Sequence, residues 1–257
     1  MSHNPTSSHS SETEKNIEAL RKKAEQGDAK AQCALGYAYA HGEGVPKNDT
    51  EAVKWFRAAA DQGIATAQCN LGIMYLGSEG VPQDLAQTEH WCRKAADQGN
   101  AEAQYGLAIM HYNGKGVPKD MAEAIKWYRA AADQGHDRAQ NSLGNMYYSG
   151  EGVSVDMAEA LAWYRKAADQ GSMYAQDSLG HMYSNGEGVP VDKAEAAQWY
   201  RKSAEQGYAE AQFNLGRAYA TGEGVTEDKA EAAKWLRAAA DQDHAKALDF
   251  LQRLEKS

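Results

Sequence analysis

Cysteine and phenylalanine occur only three times each in 257 residues, and Lys plus Arg, at 27, fall short of Asp plus Glu, at 36. Each shortage closes off a class of protein. Three cysteines without a recurring pair exclude a disulfide-stapled scaffold and point to reduced thiols in a reducing compartment. Few phenylalanines beside 14 Tyr, 6 Trp and 24 Gly argue for thin, closely approaching helices instead of packing around one large globular centre. A net charge of −9 runs against phosphate-backbone binding and polybasic membrane contact, both of which need clustered Lys and Arg. No nucleic acid partner is expected. No apolar run approaches the ~20 residues of a membrane span, so direct membrane insertion is not expected. The N-terminus, MSHNPTSSHSSETEKN, lacks a basic region followed by an apolar core. No signal peptide is readable there, and a cytoplasmic chain is expected, with an exported effector lacking a signal peptide as the alternative.

What the chain does contain is a period. Its tryptophans, Trp55, Trp91, Trp127, Trp163, Trp199 and Trp235, advance in unbroken steps of 36 residues, the mark of a tandem repeat in which each unit contacts only its neighbours. Residues 1–13 are polar and read as a disordered tail. A capping helix over 14–27 matches the second half of the unit. Six full units follow at 28–63, 64–99, 100–135, 136–171, 172–207 and 208–243, and a C-terminal capping helix occupies 244–257. Each unit reads as two helices. The first carries small and apolar residues at spacings of three and four, such as Ala211, Leu215, Ala218 and Tyr219, and stops at glycines such as Gly150 and Gly222 that favour a left-handed C-cap. The second opens with Asp-x-Ala-Glu, an N-cap with an acidic residue three positions on, as at Asp156 to Glu159. The recurring Trp is expected to fill the groove between paired helices. The recurring Arg57, Arg93, Arg129, Arg165, Arg201 and Arg237 are expected to bridge to a carboxylate of a neighbouring unit. Cys33 and Cys69 share one phase of adjacent units and should stand roughly 10 Å apart, beyond disulfide reach.

The motifs Ala-x-Ala-Gln-x-x-Leu-Gly-x-x-Tyr, Gly-x-Gly-Val, Asp-x-x-Glu-Ala and Trp-Tyr-x-x-Ala-Ala-x-Gln-Gly, all visible from Asn100 to Gly207, resemble the Sel-one-like repeat (SLR) family, a branch of the tetratricopeptide-like α/α repeats. The resemblance implies an all-α, right-handed α/α superhelical solenoid of six 36-residue helix-turn-helix repeats with capping helices. It also implies a bacterial, non-enzymatic adaptor for protein–protein interaction, with first helices lining a concave inner wall.

No cofactor, metal or catalytic constellation is readable beside that scaffold. The Gly-x-Gly-Val loops lack the Lys-Ser/Thr of a nucleotide loop and are explained as helix stops. Asp177 and His181 share a helix face but find no third metal ligand. His111 stands at a Tyr phase and is expected half-buried with a satisfied ring nitrogen. A β-lactam or peptidoglycan hydrolase, an activity linked to a cysteine-rich branch of the family, is the remote alternative, and Ser-x-x-Lys, Lys-Thr-Gly, Gly-x-Ser-x-Gly and His-Glu-x-x-His are all absent.

Comparison of the six copies within the chain separates fixed from variable positions. On the first helix the third, sixth, seventh, tenth and thirteenth positions vary, and most fall on one stripe. Read along the array the candidate protein- or peptide-binding residues are Tyr37; Ile73 and Leu76; Tyr105, Ile109 and Tyr112; Asn141, Asn145 and Tyr148; Asp177 and His181; and Arg217. The first copies offer apolar and aromatic contacts, and the later ones offer Asn, Asp and His for an extended backbone. Tyr105, Ile109 and Tyr112 are expected to form an exposed patch that binds a partner, or a second copy if the chain is a self-associating structural array.

Overall fold

The computed structural model describes residues 6–77 and 79–255, side chains from Lys15 onward, and among them fourteen α-helices and no strand. The helices are α1 (Thr6–Glu25), α2 (Ala29–His41), α3 (Asp49–Asp61), α4 (Ala65–Gly77), α5 (Leu85–Asp97), α6 (Ala101–Asn113), α7 (Met121–Asp133), α8 (Asp137–Ser149), α9 (Met157–Asp169), α10 (Met173–Asn185), α11 (Lys193–Glu205), α12 (Ala209–Thr221), α13 (Lys229–Ala240) and α14 (Ala245–Leu254). The chain falls into two compact units, Met1–Ala131 and Ala132–Ser257. In the first unit α1 to α6, and in the second α8 to α14, each pack on the next along the chain. The proposed tail is corrected in part: α1 begins at Thr6, so 6–13 are helical, while 1–5 lie outside the described residues. The C-terminal helix is shorter than expected, ending at Leu254.

Local chemistry sets the helix ends. Asp156 adopts extended backbone and its carboxylate accepts from the amides of Ala158 and Glu159, both at 3.0 Å. Asp192 and Asp228 do the same for α11 and α13, satisfying amides that a helix start leaves unpaired. First helices close on a left-handed glycine. Gly150, φ 75°, donates its N–H to the Met146 carbonyl, a conformation that a side chain at this site would strain.

The core explains the remaining fixed positions. Leu35, Leu71 and Leu107 in the first unit and Leu143, Leu179 and Leu215 in the second are fully buried. The glycine after each of these leucines, except at Ala108, lets the paired helix approach: a Cβ at Gly180 would lie 2.5 Å from the Tyr200 ring, and one at Gly36 would lie 2.7 Å from Phe56. The Gln of Ala-x-Ala-Gln is buried because it makes a ladder. Gln140 Nε2 donates to the Ala132 carbonyl at 3.0 Å while its Oε1 accepts from Gln170 Nε2 at 2.7 Å. Gln68 does likewise with Ala60 and Gln98. A buried amide with both ends satisfied holds three helices in register at little desolvation cost.

Tryptophan packs on the first helix of its own repeat and on the helix before it: Trp55 against Ala31, Leu35 and Ala24, and Trp235 against the Leu215 and Tyr200 cluster. Trp91, Trp127 and Trp163 are buried, while Trp55, Trp199 and Trp235 are half-buried. A lysine ammonium covers each indole face, at 3.8 Å for Lys166 over Trp163 and Lys202 over Trp199. The acidic residue three after the N-cap has a role the capping reading missed. Glu195 and Glu231 accept the indole N–H of Trp199 and Trp235 one turn later.

The recurring arginines are also corrected. Arg57, Arg165 and Arg201 donate to the hydroxyls of Tyr75, Tyr183 and Tyr219, and Arg21 donates to Tyr39 at 3.0 Å, each pair 18 residues apart. Arg93 takes Glu89 of its own helix, and Arg237 alone among these meets a carboxylate 18 residues on, that of Glu255. The tyrosine that closes Leu-Gly-x-x-Tyr stands within reach of the guanidinium, so a hydroxyl takes the place of the expected carboxylate.

Candidate functional site

In the second unit the variable positions of α8, α10 and α12 converge. Successive first helices are set side by side by the Gln ladder and the Leu-Gly contacts, so the tenth repeat position of all three faces one space with the sixth of α10 and α12 and the thirteenth of α8 and α10. They line a cavity of about 460 Å³ that holds Asn145 and Tyr148 from α8, Asp177, His181 and Ser184 from α10, and Phe213 and Arg217 from α12. Four of the residues expected to bind a partner, Asn145, Tyr148, His181 and Arg217, are therefore gathered with a fifth, Asp177. Asn141 is half-buried outside the cavity, its side-chain oxygen without a donor.

The cavity wall is a hydrogen-bonded network. Tyr164 Oη donates to Asn145 Oδ1 at 2.7 Å, and Tyr148 Oη donates to Glu187 Oε2 at 2.9 Å. The same Glu187 oxygen lies 3.2 Å from His181 Nδ1. Asn214 Nδ2 donates to Asp177 Oδ1 at 3.3 Å, the one hydrogen bond that this carboxylate makes. His244 Nδ1 caps α14 while its Nε2 meets Glu210 Oε2 at 2.9 Å.

Burial dominates the electrostatics. It raises the Asp177 carboxyl to about 6, helped by the negative charge of Glu210 and opposed by the Asn214 hydrogen bond and His181. Burial likewise carries the Tyr164 phenol to about 12, raises Tyr148 with help from the Glu187 bond, and raises Tyr200. Arg217 and Lys246 border the same cavity.

Several cavity residues were absent from the sequence-derived set. Glu210, Asn214 and Lys246 occupy variable first-helix positions, the third and seventh, and that variability was the available signal. Tyr164 and Tyr200 sit on second helices at the position of Phe56 and Cys92. Only the glycine opposite, which admits their rings, hinted that they reach the first-helix face.

The first unit differs. Tyr37 and Cys33 line a groove of about 570 Å³ with Ile17, Leu20 and Ile64, edged by Lys30 and Glu43. Tyr37, 44% exposed, stacks on His41 at 4.0 Å between centroids. Ile73 is exposed at 42% and Leu76 half-buried, and neither lines the groove. The expected exposed patch on α6 is corrected. Tyr105, Ile109 and Tyr112 are half-buried, because the buried Tyr128 ring of α7 lies 5.9 Å from Tyr105 and 6.5 Å from Tyr112 and shields both. His111 is buried, with Nε2 3.5 Å from Arg93 and Nδ1 without a partner, so its ring is only half satisfied. All three cysteines are free thiols. Burial pushes Cys69 up to about 12 and Cys92 up to about 11. No described helix is long and apolar enough to cross a membrane.

The Sel1 repeat family model matches residues 29–64, 65–100, 101–136, 137–172, 174–208 and 209–244. A solved protective antigen of uropathogenic Escherichia coli strains, displaying an SLR fold, is 45% identical with a TM-score of 0.87 over 91% of this chain and 50% of that one. The chain thus spans half the length of that relative. A Sel1 repeat protein from Oxalobacter formigenes is 37% identical with a TM-score of 0.79, covering 84% of this chain and 89% of its own. Over 42 residues, 16% of this chain and 9% of the relative, there is 52% identity to the secretory immunoglobulin A-binding protein EsiB of Escherichia coli O6:H1. Six tandem matches in register with the tryptophan period, and helix pairs superposing on solved SLR proteins, lead to one conclusion: the chain belongs to the Sel1 repeat family, with the all-α helical-repeat solenoid fold of that family.

Proposed function

We propose that the chain is a non-catalytic adaptor that holds a segment of a partner protein against its first-helix faces, with the cavity among α8, α10 and α12 as the principal contact. Sel1 repeat proteins are typically protein-interaction scaffolds without catalysis. The observation that carries the reading here is the gathering of Asp177, His181 and Arg217, from consecutive repeats, around one polar cavity. Scaffold positions repeat in every copy, whereas these change from copy to copy, and function on a repeat fold is written where copies differ. The asparagines and carboxylates there suit an extended backbone. Three unpaired thiols support a cytoplasmic partner. The short likeness to a protein named for binding secretory immunoglobulin A supports the exported alternative, with a host protein as partner.

A photo-crosslinking residue placed at the cavity-lining Asn185 and, separately, at the exposed Glu159 of α9 tests the reading in the native cell. A stoichiometric crosslinked protein from position 185 and none from 159 is expected. Equal yields at both positions, or none at either, would remove the cavity as the binding site.

A further inference from the structure

The charges that border the second unit's cavity are not matched to one another. Among the described residues Asp177 makes no ion pair, and its single hydrogen bond comes from a neutral amide. Glu210, another carboxylate lining the cavity, is already engaged by His244. Arg217 and Lys246 line the same cavity, and among the described residues neither has a carboxylate within ion-pair distance. A wholly basic ligand segment would leave Arg217 and Lys246 facing like charge, and a wholly acidic one would do the same to Asp177. Like charges brought together in a partly desolvated cleft oppose binding, while opposite charges there favour it. The rings of Tyr200 and Phe213 also line the cavity and offer apolar contact beside these charges.

We infer that this cavity takes a short partner segment carrying both signs of charge, a basic group beside Asp177 and an acidic group beside Arg217 and Lys246. The inference rests on the adaptor reading and states what the bound segment must carry. A residue pair such as Arg-Glu or Lys-Asp meets the requirement, with the asparagine amides left for its backbone.

The test uses the full chain and three probes: the capped dipeptide N-acetyl-Arg-Glu-amide, N-acetyl-arginine amide and N-acetyl-glutamate amide, titrated while amide resonances of α10 and α12 are followed by NMR. The bipolar probe is expected to saturate those shifts at a concentration at least fivefold lower than either singly charged probe. Asp177→Asn should abolish the gain from the arginine, and Arg217→Gln should weaken the gain from the glutamate. Should Arg217→Gln fold poorly by circular dichroism, Lys246→Gln reads the same contact. Equal saturation by all three probes, no shift with any, or indifference to Asp177→Asn would overturn the inference. A partner still crosslinked at position 185 in the Asp177→Asn, Lys246→Gln variant would overturn it while leaving the adaptor reading intact. Loss of crosslinking from the parent chain would instead count against both.

Discussion

The two units offer unlike surfaces from like scaffolds. At the sixth position of the repeat the first unit carries Cys33, Cys69 and Tyr105, and the second carries Asn141, Asp177 and Phe213. At the tenth it carries Tyr37, Ile73 and Ile109 against Asn145, His181 and Arg217. The paired helix blurs that divide, with Phe56, Cys92 and Tyr128 in the first unit and Tyr164, Tyr200 and Leu236 in the second. The consequence of the first-helix divide is an apolar groove beside α1 and α2 in one unit and a hydrogen-bonded, charged cavity in the other. Leucine, glycine and glutamine hold both in the same way, so helix packing and surface chemistry vary independently on this fold. That independence lets one solenoid present two kinds of contact without altering its core.

If the scaffold is shared, equivalent core truncations must cost alike. Leu71→Ala and Leu179→Ala, each removing a fully buried side chain, are expected to destabilise by about 2–5 kcal/mol. Urea denaturation followed by circular dichroism measures this, and a cost confined to one unit would break the comparison. Gly180→Ala comes next. Its Cβ would press on the Tyr200 ring that walls the polar cavity, for about 1–3 kcal/mol. A melting temperature unchanged from the parent would show that the ring yields freely.

The charged cavity should also reveal itself in pH. Asp177 has a folded value of about 6, above the unfolded ~3.9, so between those values the native state holds the extra proton. The stability it contributes is full below about pH 4 and is lost as pH rises through about 6. Asp177→Asn should therefore match the parent at pH 4 and exceed it by about 1–3 kcal/mol at pH 7. Thermal melts at the two values decide the matter, and a variant less stable at pH 7 would make Asp177 a structural residue. A gain in stability with a loss of ligand is the trade-off expected of a binding group. The smallest effect belongs to the first unit. Gly106 lies within α6 with nothing within 4 Å of an added Cβ. Gly106→Ala should stabilise by about 0.4–1 kcal/mol through the unfolded chain, read as a rise in melting temperature.

Much of this was legible in the residues. The tryptophan period and the Asp and Gly helix boundaries agree with the structure, and Asn145, Tyr148, Asp177, His181 and Arg217 do meet in one place. Other assignments failed where a side chain's surroundings come from a distant element. Tyr105 and Tyr112 look free on α6 alone, and it is Tyr128 that shields them. Arg57 looks like half of an ion pair until Tyr75, 18 residues on, is seen to accept from it.

The division has a physical basis. Helix starts, left-handed stops and the 36-residue unit depend on backbone angles and on side chains three or four residues apart, interactions that a chain carries wherever it goes. The cavity depends on contacts such as Tyr148 with Glu187 and Asn214 with Asp177, which lie 39 and 37 residues apart. Those distances close only when neighbouring repeats pack, so sequence alone decided the repeat, its helices and its variable face. Tertiary structure decided which of those variable side chains share a space, which are covered, and which charges are left for a partner.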